Sequence, residues 1–255
     1  MVFYKPGETD HGLPNDPFKA CVVPRPIGWI STVSGTTGTA NLAPYSQFNN
    51  LTFDPPYVMF SANQTPTAAQ KDTAANAEAT GVFCWNLATY DLKDYVNASA
   101  EQVDASVDEF EHVGLEKEDS RLSFVDVRSQ GRRVAVPLVK RSPVKFECVH
   151  YSTLRLPGNP PMGAVDVVIG RVVGIHIDDR VLTDGRIDVR KTVPIARCGY
   201  FEYAAIRETF EMRIPGENKS WLTGLEGSTK GHRAMLEGET ATTQKDEESG
   251  QVVEK

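Results

Sequence analysis

Small polar residues and a lysine recur at the ends of short apolar segments between Pro24 and Thr73. Ser61, Ala62 and Asn63 close one such segment, and Lys71, Asp72 and Thr73 follow within an alanine-rich stretch. Hydroxyl, amide and ammonium donors in that order suit a dianion, which needs convergent donors and preferably a cation. The competing reading of the same residues is a capped surface helix with Lys71 in solvent.

Asn41-Leu42-Ala43-Pro44-Tyr45-Ser46 is poor core material, because Pro44 cannot donate to a ladder and Asn41 and Ser46 are small and polar. Such a strand can bring backbone N–H and C=O groups close to the edge of a flat ring such as an isoalloxazine. It equally suits an edge strand that Pro44 protects from aggregation. Arg25 is balanced between a ligand contact and a structural ion pair. Asp72 reads as orienting Lys71 or capping the helix.

The remaining polar residues read as structural. His150 and His176 fall in β-like runs and fit hydrogen-bonded barrel residues better than acid–base catalysts. Asp108 and His112 are spaced i,i+4, which a metal site also uses, but no second ligand pair accompanies them, so a solvated helix face is the better reading. Cys21, Cys84, Cys148 and Cys198 are scattered with no C-x-x-C pair, pointing to buried, reduced thiols and no metal site.

The elements that must position these residues are mostly strands. Segments 29–34, 40–46, 57–62 and 82–87 are strand-like, with a Gly35-Thr36-Thr37-Gly38 turn between the first two. Long β-rich runs at 144–156 and 164–178 are separated by Asn159-Pro160-Pro161, and a further one falls at 200–205. Helices are expected at 67–79, capped by Thr65 or Thr67, at 90–98, and at 106–112 closed by Gly114. Helices interrupt rather than alternate with strands, so a closed antiparallel barrel fits better than a doubly wound sheet. Residues 1–17 read as an irregular arm, 18–215 as one domain, and 216–255 as a flexible acidic tail with Trp221 and Leu222 docking on a neighbour.

The 255 residues carry a formal net charge of −7 and no basic stripe, which argues against nucleic acid as the main partner. One anionic cofactor remains compatible, because a local cation outweighs a diffuse field within a Debye length of about 10 Å. No apolar run approaches the roughly 20 residues of a membrane helix, and no signal-peptide core follows Met1. A soluble, cytoplasmic protein is the expectation.

The order of several motifs resembles the flavin reductase-like family with the FMN-binding split-barrel fold, which includes flavoredoxin and the reductase components of two-component monooxygenases. The residues carrying the resemblance are Arg25-Pro26-Ile27-Gly28 with Ser31-Thr32, Gly38 to Ser46, Pro55-Pro56, Ser61 and Lys71-Asp72-Thr73. Glu109 to Leu115, Glu147-Cys148, Gly170-Arg171-Val172-Val173 and Arg197-Cys198-Gly199-Tyr200 continue it. The resemblance implies a mainly β fold with inserted helices, a Greek-key, six-stranded antiparallel split β-barrel. It also implies a homodimer with FMN near the interface. Thr32, Asn41, Leu42, Ala43 and Ser46 would then contact the ring and ribityl chain, and Ser61, Ala62, Asn63, Lys71 and Thr73 the ribityl and phosphate end. Reduced nicotinamide (NADH or NADPH) or a reduced partner protein would supply electrons to FMN, which would pass them to free flavin or a partner monooxygenase; the alternative is a flavoredoxin-like electron carrier. Many flavin reductases of monooxygenase systems carry a Gly-Asp-His element at the nicotinamide; here Gly163-Ala164-Val165 stand at that place.

Overall fold

The computed structural model describes residues 1–161, 163–212 and 215. The chain divides into two compact units, Met1–Thr209 and Phe210–Lys255. Residues 216–255, with Trp221 and Leu222, lie outside the described residues. Residues 1–17 contain no helix or strand.

The first unit is built on antiparallel strands: β1 (Gly28–Val33), β2 (Ala40–Tyr45), β3 (Phe48–Phe53), β4 (Pro56–Asn63), β5 (Val82–Asn86), β6 (Lys117–Val127), β7 (Arg132–Val139), β8 (Val144–Leu156) and β9 (Val165–Ile177). Seven of them form one sheet in the order β2-β1-β5-β8-β9-β4-β3. Its two end strands, β2 and β3, are consecutive in the chain, separated only by Ser46 and Gln47. The sheet therefore curls until its ends meet through that link, where Ser61 N–H donates to Gln47 C=O at 2.9 Å. Counting β2 and β3 as one bent strand gives the six staves of a split barrel rather than a ladder-closed one.

Period-two alternation explains the interior. Val58, Phe60 and Ala62 of β4 and Val168 and Val172 of β9 point inward and are buried, joined by Ile30, Phe48, Phe83, Trp85 and Cys148. Phe48 stacks on Trp85 with ring centroids 5.3 Å apart. Gly28 permits this, since a β-carbon there would lie 2.8 Å from the Phe48 ring.

Helix α1 (Asp72–Thr80) puts Ala74 and Ala77 into the same interior and plugs one end of the barrel. Helices α2 (Lys93–Ala98) and α3 (Glu109–Val113) cover the opposite face of β1 and β2, burying Trp29, Leu42, Val96 and Phe110 together. The β6–β7 hairpin packs Val125, Val127, Val136 and Leu138 against Val33 and Cys84.

The structure adds β3, the β6–β7 hairpin and short strands at Arg25–Pro26, Leu182–Thr183, Arg186–Ile187 and Ile195–Gly199 to the strands expected from sequence, and the expected strand at 200–205 is Glu202–Ala205, paired with Ile195–Gly199. Helix α1 begins five residues later than the expected Thr67, with Lys71 rather than Thr65 or Thr67 at its N-cap. Loop 64–70 occupies the difference, and Ala68 sits there at φ 61°. Cys84 and Cys148 are buried, but Cys21 is exposed and Cys198 half-buried, so burial holds for only two of the four thiols. Among the described residues no helix is long and apolar enough to cross a membrane.

Candidate functional site

The expected site residues fall into two groups. Thr32, Asn41 and Thr73 are brought together, although they come from β1, β2 and α1. The Thr73 hydroxyl donates to Asn41 Oδ1 at 2.7 Å and the Thr32 hydroxyl to the same oxygen at 3.1 Å. Asn76 Nδ2 donates to Thr32 Oγ1 at 3.2 Å. Asn41 Nδ2 in turn donates to Glu109 Oε1 at 2.7 Å, and the backbone N–H of Leu42 donates to Glu109 Oε2 at 3.1 Å.

Glu109 was not among the expected site residues. It reaches over from α3 to satisfy the free edge of β2, the edge strand that Pro44 suggested. Burial pushes its carboxyl up from the ordinary carboxylate range, while the Leu42 and Asn41 hydrogen bonds oppose that shift. Burial likewise pushes the Tyr45 phenol well above its usual range, opposed by Thr73. The only sequence signal for Glu109 was its place in the motif 109–115; a partner 68 residues away leaves no local trace.

The second group lines a surface. On β4 the outward positions are Tyr57, Met59, Ser61 and Asn63, all half-buried. Register places Ser61 beside Val167 and Asn63 beside Val165, and these pair in turn with Leu154 and Leu156 of β8. Leu154 is 56% exposed and Leu156 43%. Two hydroxyl- and amide-bearing residues thus stand at the margin of an apolar sheet face. Ala62 points into the core and Leu42 into the helical layer, so each can offer a ligand only its backbone. Ala43 and Ser46 are half-buried, the latter hydrogen-bonded to Gln47 Oε1 at 3.4 Å.

Helix α1 follows β4 in the chain after loop 64–70 and presents its N-terminus there. Lys71 at the N-cap makes no side-chain capping bond, so the first-turn N–H groups lack that acceptor. Among the described residues Lys71 forms no ion pair. Asp72 follows it in the first turn, exposed. The end of the barrel below is braced by buried Asp166, which accepts from Arg155 Nε at 2.6 Å and from Gln64 Nε2 at 3.3 Å.

The Arg25 guanidinium donates to the carbonyls of Lys19 and Val22 and forms no ion pair among the described residues, so of its two expected roles the ion pair is not the one seen. Asp108 caps α3, accepting from Phe110 N at 3.0 Å, and His112 contacts Glu101 at 3.0 Å. His150 hydrogen-bonds Thr153 at 2.9 Å. His176 meets Glu147, a fully buried carboxylate that also accepts from three consecutive backbone N–H groups of β6.

The profile of the family described as "Flavin reductase like domain" matches residues 20–193. An uncharacterized protein of Halalkalibacterium halodurans is 31% identical over 194 residues, spanning 76% of this chain and 87% of its own. Among solved structures, nitrilotriacetate monooxygenase component B from Bacillus cereus superposes with a TM-score of 0.71 at 28% identity, covering 83% of this chain and 98% of that one. Flavoredoxin of Desulfovibrio vulgaris shares the fold at 16% identity, with a TM-score of 0.60 over 75% of this chain and 91% of its own.

Proposed function

The chain belongs to the flavin reductase-like domain family, and from that premise we propose that it is an FMN-binding flavoprotein acting as an NAD(P)H-dependent flavin reductase. The observation that carries the reading is the uncapped N-terminus of α1 with Lys71 free of ion pairs among the described residues. Oriented N–H groups and an ammonium are what a phosphate dianion requires.

The residues present fit the group. Lys71 and the first turn of α1 would hold the phosphate, with Ser61 and Asn63 donating from the adjoining strand. The apolar strip of Val165, Val167, Leu154 and Leu156 would cover a ring face. Thr32, Asn41, Thr73 and Glu109 satisfy one another, so their part is to fix β2 against α1 and hold the Ala43 to Ser46 backbone in place. Bound FMN would supply the redox centre, accepting hydride from a reduced nicotinamide, which leaves oxidised, and passing two electrons to free flavin or a partner oxygenase. The exposed face on β8 and β9 supports a homodimer, since Val149, Tyr151, Val173 and Ile175 are a poor solvent boundary.

A second reading is a flavoredoxin-like electron carrier without NAD(P)H turnover. Ala164 and Val165 favour it, because neither can hydrogen-bond a nicotinamide amide through its side chain. The test is fluorescence titration of the purified protein with FMN, then anaerobic mixing of the loaded protein with NADH and with NADPH. Quenching with flavin bleaching by either nucleotide is expected. Flavin binding without bleaching selects the carrier, and no flavin binding overturns both.

A further inference from the structure

Three residues beyond the end of β5, Thr89 bridges to Pro194, and a cavity of about 460 Å³ opens beside it. Three cations reach this cavity from three separate segments. Arg141 comes from the turn between β7 and β8, Arg180 from the single turn Asp179–Val181, and Lys191 from the short helix Val189–Thr192. Main-chain carbonyls hold two of them in place. Arg180 Nη2 donates to Arg141 C=O at 2.9 Å, and Lys191 Nζ to Leu182 C=O at 2.5 Å. Arg141 lies over the Tyr95 ring, 5.4 Å from its centroid.

Charge is left over. Arg180 pairs with Asp178 at 3.0 Å, but neither Arg141 nor Lys191 forms an ion pair among the described residues. Asp91 is the one carboxylate in the lining. Thr89 and Thr192 add hydroxyls, and buried Leu92 and Val181 add an apolar wall. A chain of net charge −7 thus concentrates positive charge in a concave site whose lining includes neither Lys71 nor any residue of α1.

We propose that this cavity is a second anion site, taking an organic phosphate of nucleotide size. The unpaired Arg141 guanidinium offers the planar fork of N–H donors that phosphate oxygens accept, and the Lys191 ammonium adds a second charge that Asp91 alone does not neutralise. The volume exceeds what a bare phosphate occupies, and falls in the range of small-molecule pockets. The apolar wall suits the attached organic part. The site owes nothing to the flavin reading, since no residue is shared.

The experiment is calorimetric titration of the full chain at low salt with AMP, inorganic phosphate and adenosine, run both without FMN and with FMN in excess. AMP should bind saturably and adenosine should not. Arg141→Ala and Lys191→Ala should each weaken AMP at least tenfold while leaving FMN affinity and the circular dichroism spectrum unchanged, and Lys71→Ala should leave AMP binding unaltered. Absence of AMP binding overturns the proposal, as does equal affinity in the Arg141 and Lys191 variants or loss of binding in the Lys71 variant. Inorganic phosphate binding as tightly as AMP would overturn the nucleotide-sized occupant.

Discussion

Replacing Glu147 with glutamine should unfasten the β6–β7 hairpin from the barrel. Oε1 accepts from Arg121 N at 2.8 Å and His176 Nε2 at 2.7 Å, and Oε2 from Leu122 N at 2.6 Å and Ser123 N at 2.8 Å. Burial alone would raise this carboxyl, yet the hydrogen bonds from Arg121, His176, Leu122 and Ser123 bring it below its ordinary value. The donors outweigh desolvation. An acceptor-only carboxylate also requires His176 to present Nε2–H. Glutamine keeps one oxygen and turns an NH₂ toward two of the donors, so two hydrogen bonds to a charge are lost. Each is worth about 1.5–3 kcal/mol, offset in part because no charge is buried, for a net loss of about 3 kcal/mol. In a unit of this size that lowers the melting temperature by about 6–12 °C.

The pH dependence carries a sign. A folded-state value below the unfolded one gives stability that is present above the ordinary 4.5 and is lost as pH falls through the folded value. The gap between wild type and Glu147→Gln, measured by thermal unfolding, should therefore be full at neutral pH and narrow in acid below 4.5. A neutral-pH difference under about 2 °C, or a gap that does not narrow in acid, would refute the reasoning.

Other substitutions probe the rest of the frame. Asn41→Asp would face the Glu109 carboxylate, which already stands above its ordinary range, across the 2.7 Å now spanned by a hydrogen bond. Its cost of about 3 kcal/mol should appear as pH rises through the carboxyl range and vanish in acid, and a flat denaturation profile would count against it. Gly170→Ala would set a β-carbon 2.3 Å from the Phe83 ring and should destabilise by about 1–3 kcal/mol in urea unfolding. Lys71→Ala should weaken FMN at least tenfold, about 1.4 kcal/mol, with unfolding of the flavin-free protein unchanged. Equal FMN affinity in that variant would remove Lys71 from the site.

Residues with strong local patterns were legible in the sequence. The apolar run of 57–62, the long β-rich runs of 144–156 and 164–178 and the strand-like 29–34 placed most of the barrel. β3 was not, because Phe-Asn-Asn-Leu-Thr-Phe buries only Phe48 and gives no periodic signal. β6 opens Lys-Glu-Asp-Ser-Arg, and its inward residues are spaced irregularly across the register shift between Asp119 and Phe124. The start of α1 was misread because alanine-rich composition extends the helix signal into loop 64–70. At the site, small polar types marked Asn41 and Thr73, and the family resemblance added Thr32. That they turn toward one another depends on contacts 32 and 68 residues distant, which no window along the chain contains.

The two-residue link of Ser46 and Gln47 has a consequence for how the barrel can fail. A strand at a free sheet edge can slip by two residues and keep its faces correct. Here, sliding β2 along β1 would drag β3 along β4 by the same distance, breaking both ladders and pulling Phe48 off Trp85 and Gly28. The two seams are mechanically one. A single stitch in the chain makes gradual slippage at that corner a concerted event, so this part of the barrel yields all at once or holds.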